Sequence, residues 1–344
     1  MLPIAEYAAR GPYEVGVNRA ALPDLENPGR EIPAYVWYPA DAAAWERSPE
    51  AEHPIGAPHA ARKDAIPAAA AAPVPLVAFS HGNSGFACQS TFLTTHLASW
   101  GMVVTAPDHI GNTLFEMMGI ENEDERIRVH KQARNDRPRD LGAAIDAVLA
   151  GGPWPQASPE RIGVAGHSFG GWTAFKMPRR DARVRAVCGL APASEPFIGG
   201  RAFETGELPL AGDVSSLIVS ALDDVLVDID TSVWPLFERL AEPRALVGVH
   251  NADHFHFCDH LEMIHGLHEK GGRRPKQTRE TLPYAKLLPE ARAHEILAAL
   301  VTGFFAATLG EDTDPPDLSP EALASLDTEL QRLDVGHSSK SASL

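Results

Sequence analysis

Short apolar runs punctuate this chain, and the stretches between them carry apolar residues at helical spacing. Pro33–Tyr38, Leu76–Ser80, Met102–Ala106, Arg161–Ala165, Val184–Leu190, Leu217–Ala221 and Ala245–Val249 are rich in β-branched, aliphatic or aromatic residues. They are too short for stable helices and predict strands. Between them, Gln89–Trp100, Arg139–Ala150, Trp172–Lys176, Val233–Leu240 and Glu290–Ala307 predict helices. A strand without polar alternation has to be covered on both faces. The alternation of elements therefore predicts an α/β fold: a mostly parallel central sheet with helices on both faces. No linker divides the series, so residues 1–310 are expected to form one domain.

Two regions depart from the pattern. Residues 41–73 are crowded with Ala, Pro and polar groups and show no clean period, which reads as a surface insertion between two strands. After Gly310 the chain turns polar, so residues 311–344 are expected to be a C-terminal tail. Within it Leu318–Leu333 is read as one amphipathic helix and His337–Leu344 as a disordered end.

The Arg161–Ala165 run leads directly into Gly166-His167-Ser168-Phe169-Gly170-Gly171. A strand followed by G-x-S-x-G and a helix is the pattern of a nucleophile elbow. A serine hydroxyl is a weak nucleophile and has to be held clear of the sheet, within reach of a base. The sharp turn that does this leaves no room for side chains at Gly166 and Gly170. Ser168 is therefore the candidate nucleophile, against the plainer reading of a Gly-rich turn.

A base and an orienting acid should follow, in the chain order Ser, acid, His. The strand Leu217–Ala221 ends at Leu222-Asp223-Asp224-Val225. A carboxylate just past a strand's C-terminal end shares the sheet edge with the elbow. Asp224 is preferred, because it precedes an apolar turn that could anchor the loop; Asp223 is then a turn residue. The next strand ends at His250-Asn251-Ala252-Asp253-His254-Phe255-His256. His254 is the candidate base, following a turn-like segment and preceding an aromatic residue. His250 lies too close to the strand, and His256 remains a substitute. For an oxyanion hole the N–H of Phe169 is one candidate donor. The loop Ser80-His81-Gly82-Asn83-Ser84-Gly85 supplies the other at Asn83, with His81 as a support for the loop.

Charge narrows the field of partners. Among 344 residues, 46 acidic against 30 basic side chains give a formal charge of -16, which repels phosphate backbones and anionic surfaces. Nucleic acid is not an expected partner. Three cysteines, Cys88, Cys188 and Cys258, are widely spaced and suggest neither a disulfide framework nor a C-x-x-C metal site. No unbroken apolar run approaches a membrane span, and no secretory signal is visible, so a cytoplasmic protein is expected. Nothing in the pattern speaks to oligomeric state. The run His250, His254, His256, Cys258, Asp259, His260 invites an alternative: a metal-dependent hydrolase using the His250–His260 cluster. It lacks an H-E-x-x-H pattern, and neither metal nor cofactor is expected. Phe115, Met117 and Met118 could line an acyl or alcohol pocket or simply pack a helix. Pro192–Asp213 is long enough for a modest lid. A binding protein on a hydrolase scaffold usually lacks a triad member, and here none is missing.

At these residues the chain resembles the dienelactone-hydrolase-like esterases related to platelet-activating factor acetylhydrolase, in the α/β-hydrolase superfamily. The matching pieces are Gly11–Val17, Val36-Trp37-Tyr38-Pro39, Ser80-His81-Gly82, Pro107-Asp108-His109, Arg137-Pro138-Arg139-Asp140 and Gly166–Gly171, within roughly residues 11 to 305. The chain is also similar to bacterial polyester hydrolases and cutinases from Gly85 to Phe255, which makes a cutinase-like polyester or lipid esterase the alternative. Dienelactone hydrolases use a cysteine nucleophile; here the position is Ser168. The resemblance implies an α/β-hydrolase fold and a serine esterase acting on a small-molecule ester through an acyl-enzyme, without a cofactor. By position it implies a triad of Ser168, Asp224 and His254 with oxyanion donors at Asn83 and Phe169.

Overall fold

The apolar runs become the centre of one 11-stranded sheet. The computed structural model describes residues 2–55, 58–195, 197, 200–208, 213–270, 277–310 and 316–334. The strands are β1 (Glu14–Pro23), β2 (Glu31–Ala40), β3 (Glu50–Glu52), β4 (Pro58–Lys63), β5 (Val74–Ser80), β6 (Val103–Pro107), β7 (Ala157–His167), β8 (Val184–Leu190), β9 (Ser215–Ala221), β10 (Arg244–Val249) and β11 (Leu330–Arg332). Their spatial order is β11-β10-β9-β8-β7-β5-β6-β2-β1-β4-β3. From β10 across to β6 the strands are parallel. Antiparallel pairing appears toward the edges, where β2 meets β6, β1 meets β2 and β11 meets β10.

The helices are α1 (Ala42–Trp45), α2 (Thr91–Ser99), α3 (Leu114–Met118), α4 (Glu123–Ala150), α5 (Phe169–Arg180), α6 (Trp234–Glu238), α7 (Leu261–Lys270), α8 (Glu290–Leu309) and α9 (Pro320–Leu326). They cover both faces of the sheet. On one, Leu93 and Leu97 of α2 join Ile296 and Leu300 of α8 over Val77, Val104 and Val219. On the other, Leu141 and Ile145 of α4, Trp172 and Phe175 of α5 and Phe237 of α6 pack on Leu76, Val164 and Ile218. Helix α8 is long and apolar enough to cross a membrane, but most of it is buried against the sheet, as a core helix is.

This topology decides where a site can form. From β5 the chain crosses through α2 to β6 on one side, then returns through α4 to β7 on the other. Crossovers of one hand in opposite directions put α2 and α4 on opposite faces. The loops leaving β5 and β7 must part there, opening a crevice at the C-terminal ends of both strands.

Four sequence expectations need correction. Residues 41–73 are not without regular structure: β4 pairs parallel with β1 and β3 antiparallel with β4, so the segment extends the sheet. These strands are short and polar and lie at the margin of the sheet, with β3 at its edge, which is why no period marks them. Strand β1 is absent from the predicted elements because Asn18 and Arg19 interrupt its apolar run. Helix α4 starts at Glu123, not Arg139; its first half is too charged to show periodicity, although Asn122 caps it through the Asp124 and Glu125 N–H groups. Leu318–Leu333 is not one helix. Ser319 caps α9, the chain turns extended at Asp327, and β11 pairs with β10. His337–Leu344 lies outside the described residues.

Candidate active site

Strand β7 ends at Ser168, whose φ of 55° and ψ of -116° are strained for any side-chain-bearing residue. Three backbone hydrogen bonds hold it there. The Ser168 N–H donates to Leu190 O at 2.8 Å, and its carbonyl accepts from Trp172 at 3.1 Å and Ala193 at 2.9 Å. The flanking glycines are obligatory: a Cβ on Gly170 would lie 1.8 Å from Ser80 O, and one on Gly166 2.2 Å from Gly170 O. Ser168 stands at the positive end of α5.

Asp224 and His254 meet at the same edge. His254 Nδ1 lies 2.8 Å from Asp224 Oδ2, with both side chains buried. The other carboxylate oxygen, Oδ1, accepts the Leu226 and Val227 N–H groups, each at 2.7 Å. An acceptor-only carboxylate makes His254 donate from Nδ1 and leaves the lone pair on Nε2. The His254 ring lies 4.6 Å from that of His167, the elbow residue next to Ser168. Asp223 turns away; its carboxylate faces Arg279 at 3.7 Å, and its N–H bonds Ala252 O.

The other residues of the histidine run have separate work. His250 bonds Gln331 at the β11 edge, and His256 lies between Asp253 and Leu288 O. His260 Nε2 approaches His53 Nδ1 at 3.4 Å. Among the described residues no group of three His, Cys, Asp or Glu side chains is placed to hold a metal ion. Asp253 ties the loop carrying His254 to α7: its carboxylate accepts from His265 at 2.6 Å and from the Phe255 N–H at 2.9 Å, and its own N–H donates to His256 Nδ1 at 2.9 Å. Burial alone would raise the Asp253 pKa, but these hydrogen bonds outweigh it and hold it well below the usual range. The hydrogen bond to Asp253 raises His265 against the opposing effect of burial. A raised histidine contributes stability that is complete below about pH 6.5 and is lost as pH rises through the folded value. The melting temperature of the wild type should therefore exceed that of His265→Gln most near pH 5.5, and the gap should narrow toward pH 8.5. A gap independent of pH in thermal melts would contradict a charged His265.

Asn83 and Phe169 flank the crevice from β5 and β7. The Gly82–Gly85 turn is closed by a 3.1 Å hydrogen bond and has Ser84 at φ 57°. Gln89 Oε1 takes the Gly82 N–H at 2.8 Å. His81 does support this loop. The His109 N–H donates to His81 Nε2 at 3.1 Å, so the proton sits on Nδ1 and is given to Gly82 O at 2.8 Å. Phe169 starts α5, where an N–H has no partner within the helix. Its ring stacks on His130 at 4.1 Å, and the Arg137 guanidinium lies 4.5 Å from its centroid.

Arg137, from the middle of α4, is fully buried beneath this loop, and its place in a charged stretch of sequence gives no sign of a role in the site. Its Nη1 donates to His81 O at 2.7 Å, its Nη2 to Gly82 O at 2.9 Å and its Nε to Asn112 Oδ1 at 3.0 Å. Burial pulls the guanidinium down to about 9, which leaves it charged at neutral pH. Beside it runs a buried chain, Ser80 Oγ to His109 Nε2 at 2.8 Å and His109 Nδ1 to Asp140 Oδ2 at 2.9 Å. Burial lifts Asp140 to about 6, against its pairing with Arg30.

The expected pocket residues divide. Met117 is buried, whereas Phe115 and Met118 are 73% and 71% exposed. Phe115 lines a cleft of about 870 Å³ with Arg19, Tyr35, His53, Phe86 and Asp108. Ser168, Asp224 and His254 do not line it. The described part of 192–213 packs on α5, with Trp172 Nε1 bonded to Ala202 O at 2.7 Å and Phe197 stacked on Trp172 at 5.2 Å.

A mixed sheet, parallel from β10 to β6, with helices on both faces and a strained serine between β7 and α5 defines the α/β-hydrolase fold. The same fold is found in a ferulic acid esterase from Streptomyces cinnamoneus, with a TM-score of 0.64 and 21% identity over 93% of this chain and 96% of that one. In sequence the chain is similar to lipase 1 of Moraxella sp. strain TA144, 25% identical over 160 residues, covering 46% of this chain and 41% of the lipase. It is also similar to the dog (Canis lupus familiaris) platelet-activating factor acetylhydrolase, 27% identical over 153 residues, covering 34% of each protein. The chain thus spans less than half the length of these two relatives. No protein-family model matches it.

Proposed function

We propose that this protein is a carboxylic ester hydrolase working through an acyl-enzyme on Ser168. The observation that carries the reading is the 2.8 Å hydrogen bond between His254 and Asp224, at the edge where the strained Ser168 is presented. The names of the relatives, a lipase, an acetylhydrolase and a ferulic acid esterase, support carboxylic esters as the substrate class. His254 Nε2 takes the Ser168 proton as Oγ attacks the ester carbonyl. Asp224 orients the ring and stabilises the imidazolium. The N–H groups of Asn83 and Phe169 receive the oxyanion. The imidazolium then protonates the leaving alcohol. Water, deprotonated by the same ring, releases the acid. No step calls on a metal or a cofactor.

Incubation with a fluorophosphonate should abolish hydrolysis of p-nitrophenyl acetate, with one adduct per chain mapped by mass spectrometry to the Ser168 peptide. Labelling elsewhere, or activity lost to a chelator and indifferent to the fluorophosphonate, would overturn the reading in favour of the histidine-run alternative.

A further inference from the structure

Resting on the reading of Ser168 as nucleophile, we infer that Arg137 is a positioning residue of the oxyanion site, setting the donor on Asn83. The argument turns on one peptide plane. The N–H of Asn83 and the carbonyl of Gly82 belong to the same planar trans amide and point in opposite directions. Whatever pins Gly82 O aims the Asn83 N–H. Three donors pin it: Arg137 Nη2 at 2.9 Å, His81 Nδ1 at 2.8 Å and the Gly85 N–H at 3.1 Å. The preceding carbonyl, His81 O, is held by Arg137 Nη1 at 2.7 Å.

The remaining contacts of the guanidinium fall on the same target. Arg137 Nε donates to Asn112 Oδ1 at 3.0 Å, and Asn112 Nδ2 donates to Asn83 Oδ1 at 3.0 Å. The residue is thus held at its peptide and at its side chain from one cation. The guanidinium also lies 4.5 Å from the ring of Phe169, the residue of the second donor. A charge on a carbonyl oxygen polarises its amide and strengthens the N–H on the far side. The guanidinium itself is fully buried, so water screens that charge little at the moment the oxyanion forms.

The Ser80–His109–Asp140 chain fits this role. It has the order of a catalytic triad, but Ser80 is fully buried and already engaged. With Asp140 accepting at His109 Nδ1, Nε2 is left to take the Ser80 proton, and the Ser80 oxygen can accept Arg137 Nη1 at 3.3 Å. The chain braces the guanidinium and the end of β5 from which the loop departs.

The experiment compares wild type, Arg137→Lys and Asn112→Ala on p-nitrophenyl acetate, with rates per folded molecule from near-UV circular dichroism. Lysine keeps the charge but loses the fork that spans two carbonyls. Arg137→Lys should lower kcat about 100-fold with KM changed less than about threefold. The dissociation constant of phenylboronic acid, a tetrahedral mimic, should rise in parallel with the loss of kcat/KM. The pH at which kcat/KM is half-maximal should not move, because His254 and Asp224 are untouched. Asn112→Ala, which leaves Arg137 in place, should lower kcat about tenfold in the same way, and it decides the matter if Arg137→Lys does not fold. A kcat per folded molecule within threefold of wild type in both soluble variants overturns the inference. So does a boronate affinity that stays constant while kcat falls. Full activity in Ser168→Ala would instead overturn the reading on which it rests, and the inference with it.

Discussion

Ser168→Ala is expected to cut kcat for p-nitrophenyl acetate by about 10⁶-fold while leaving the fold and substrate binding intact. The size of the effect follows from how the proposed parts cooperate. Without Oγ there is no acyl-enzyme, and His254 has nothing to deprotonate in the first step. The oxyanion donors remain, so a residual rate about 10³-fold or more above that of water alone is expected from binding and charge stabilisation. The fold should tolerate the change. Ser168 is held by its backbone N–H and carbonyl, and alanine keeps both of those groups. It still carries a Cβ at φ 55°, so the strain of the elbow is unchanged. A melting temperature near that of the wild type with a collapsed kcat is the expected pair of results. A variant with most of its activity would move the nucleophile elsewhere. Traces of wild-type protein are excluded by repeating the assay after fluorophosphonate treatment, which should not lower the residual rate.

How far the sequence anticipates this structure depends on how local each cause is. Strands β6 and β8 were legible because almost every residue in them is buried, so an apolar run is the only pattern they can show. The elbow is legible because its signature lies within five residues, although the contacts that require Gly166 and Gly170 include Ser80 on the neighbouring strand as well as each other. The pair of Asp224 and His254 could be inferred from strand ends, since each lies on the loop just past a strand, Ala221 ending β9 and Val249 ending β10, on the same sheet edge. Arg137 could not. It sits on a charged stretch of α4, where arginine reads as a solvated face, and its partners His81 and Gly82 are more than fifty positions away. The only sign was the Arg137–Asp140 segment within the family resemblance, which marked a place without a role. Residues 50–63 were opaque for another reason. Edge strands carry charges that discourage pairing with other chains, and this erases the alternation by which a strand is recognised.

Two adjacent carboxylates make the acid the sharpest remaining test. Successive residues leaving a strand point in opposite directions, so one of them at most can face His254. Asp224 Oδ2 is 2.8 Å from His254 Nδ1, and Oδ1 is anchored by two N–H groups of the following turn. In Asp224→Asn the amide can present its NH₂ toward Nδ1 and its oxygen toward the turn. The ring would then accept at Nδ1 and carry its proton on Nε2, the tautomer that cannot take a proton from Ser168. A loss in kcat of up to about 10⁴-fold is expected from that reversal, with a small change in melting temperature because the turn keeps its acceptor. Asp223 is half-exposed, and its carboxylate faces Arg279 at 3.7 Å. Asp223→Asn removes a solvated ion pair worth less than about 1 kcal/mol and should leave kcat within about twofold. Steady-state kinetics and thermal melts on both variants decide between the two carboxylates. If Asp223→Asn loses activity and Asp224→Asn keeps it, the orienting acid is Asp223, and the hydrogen bond from His254 to Asp224 serves the loop rather than the reaction.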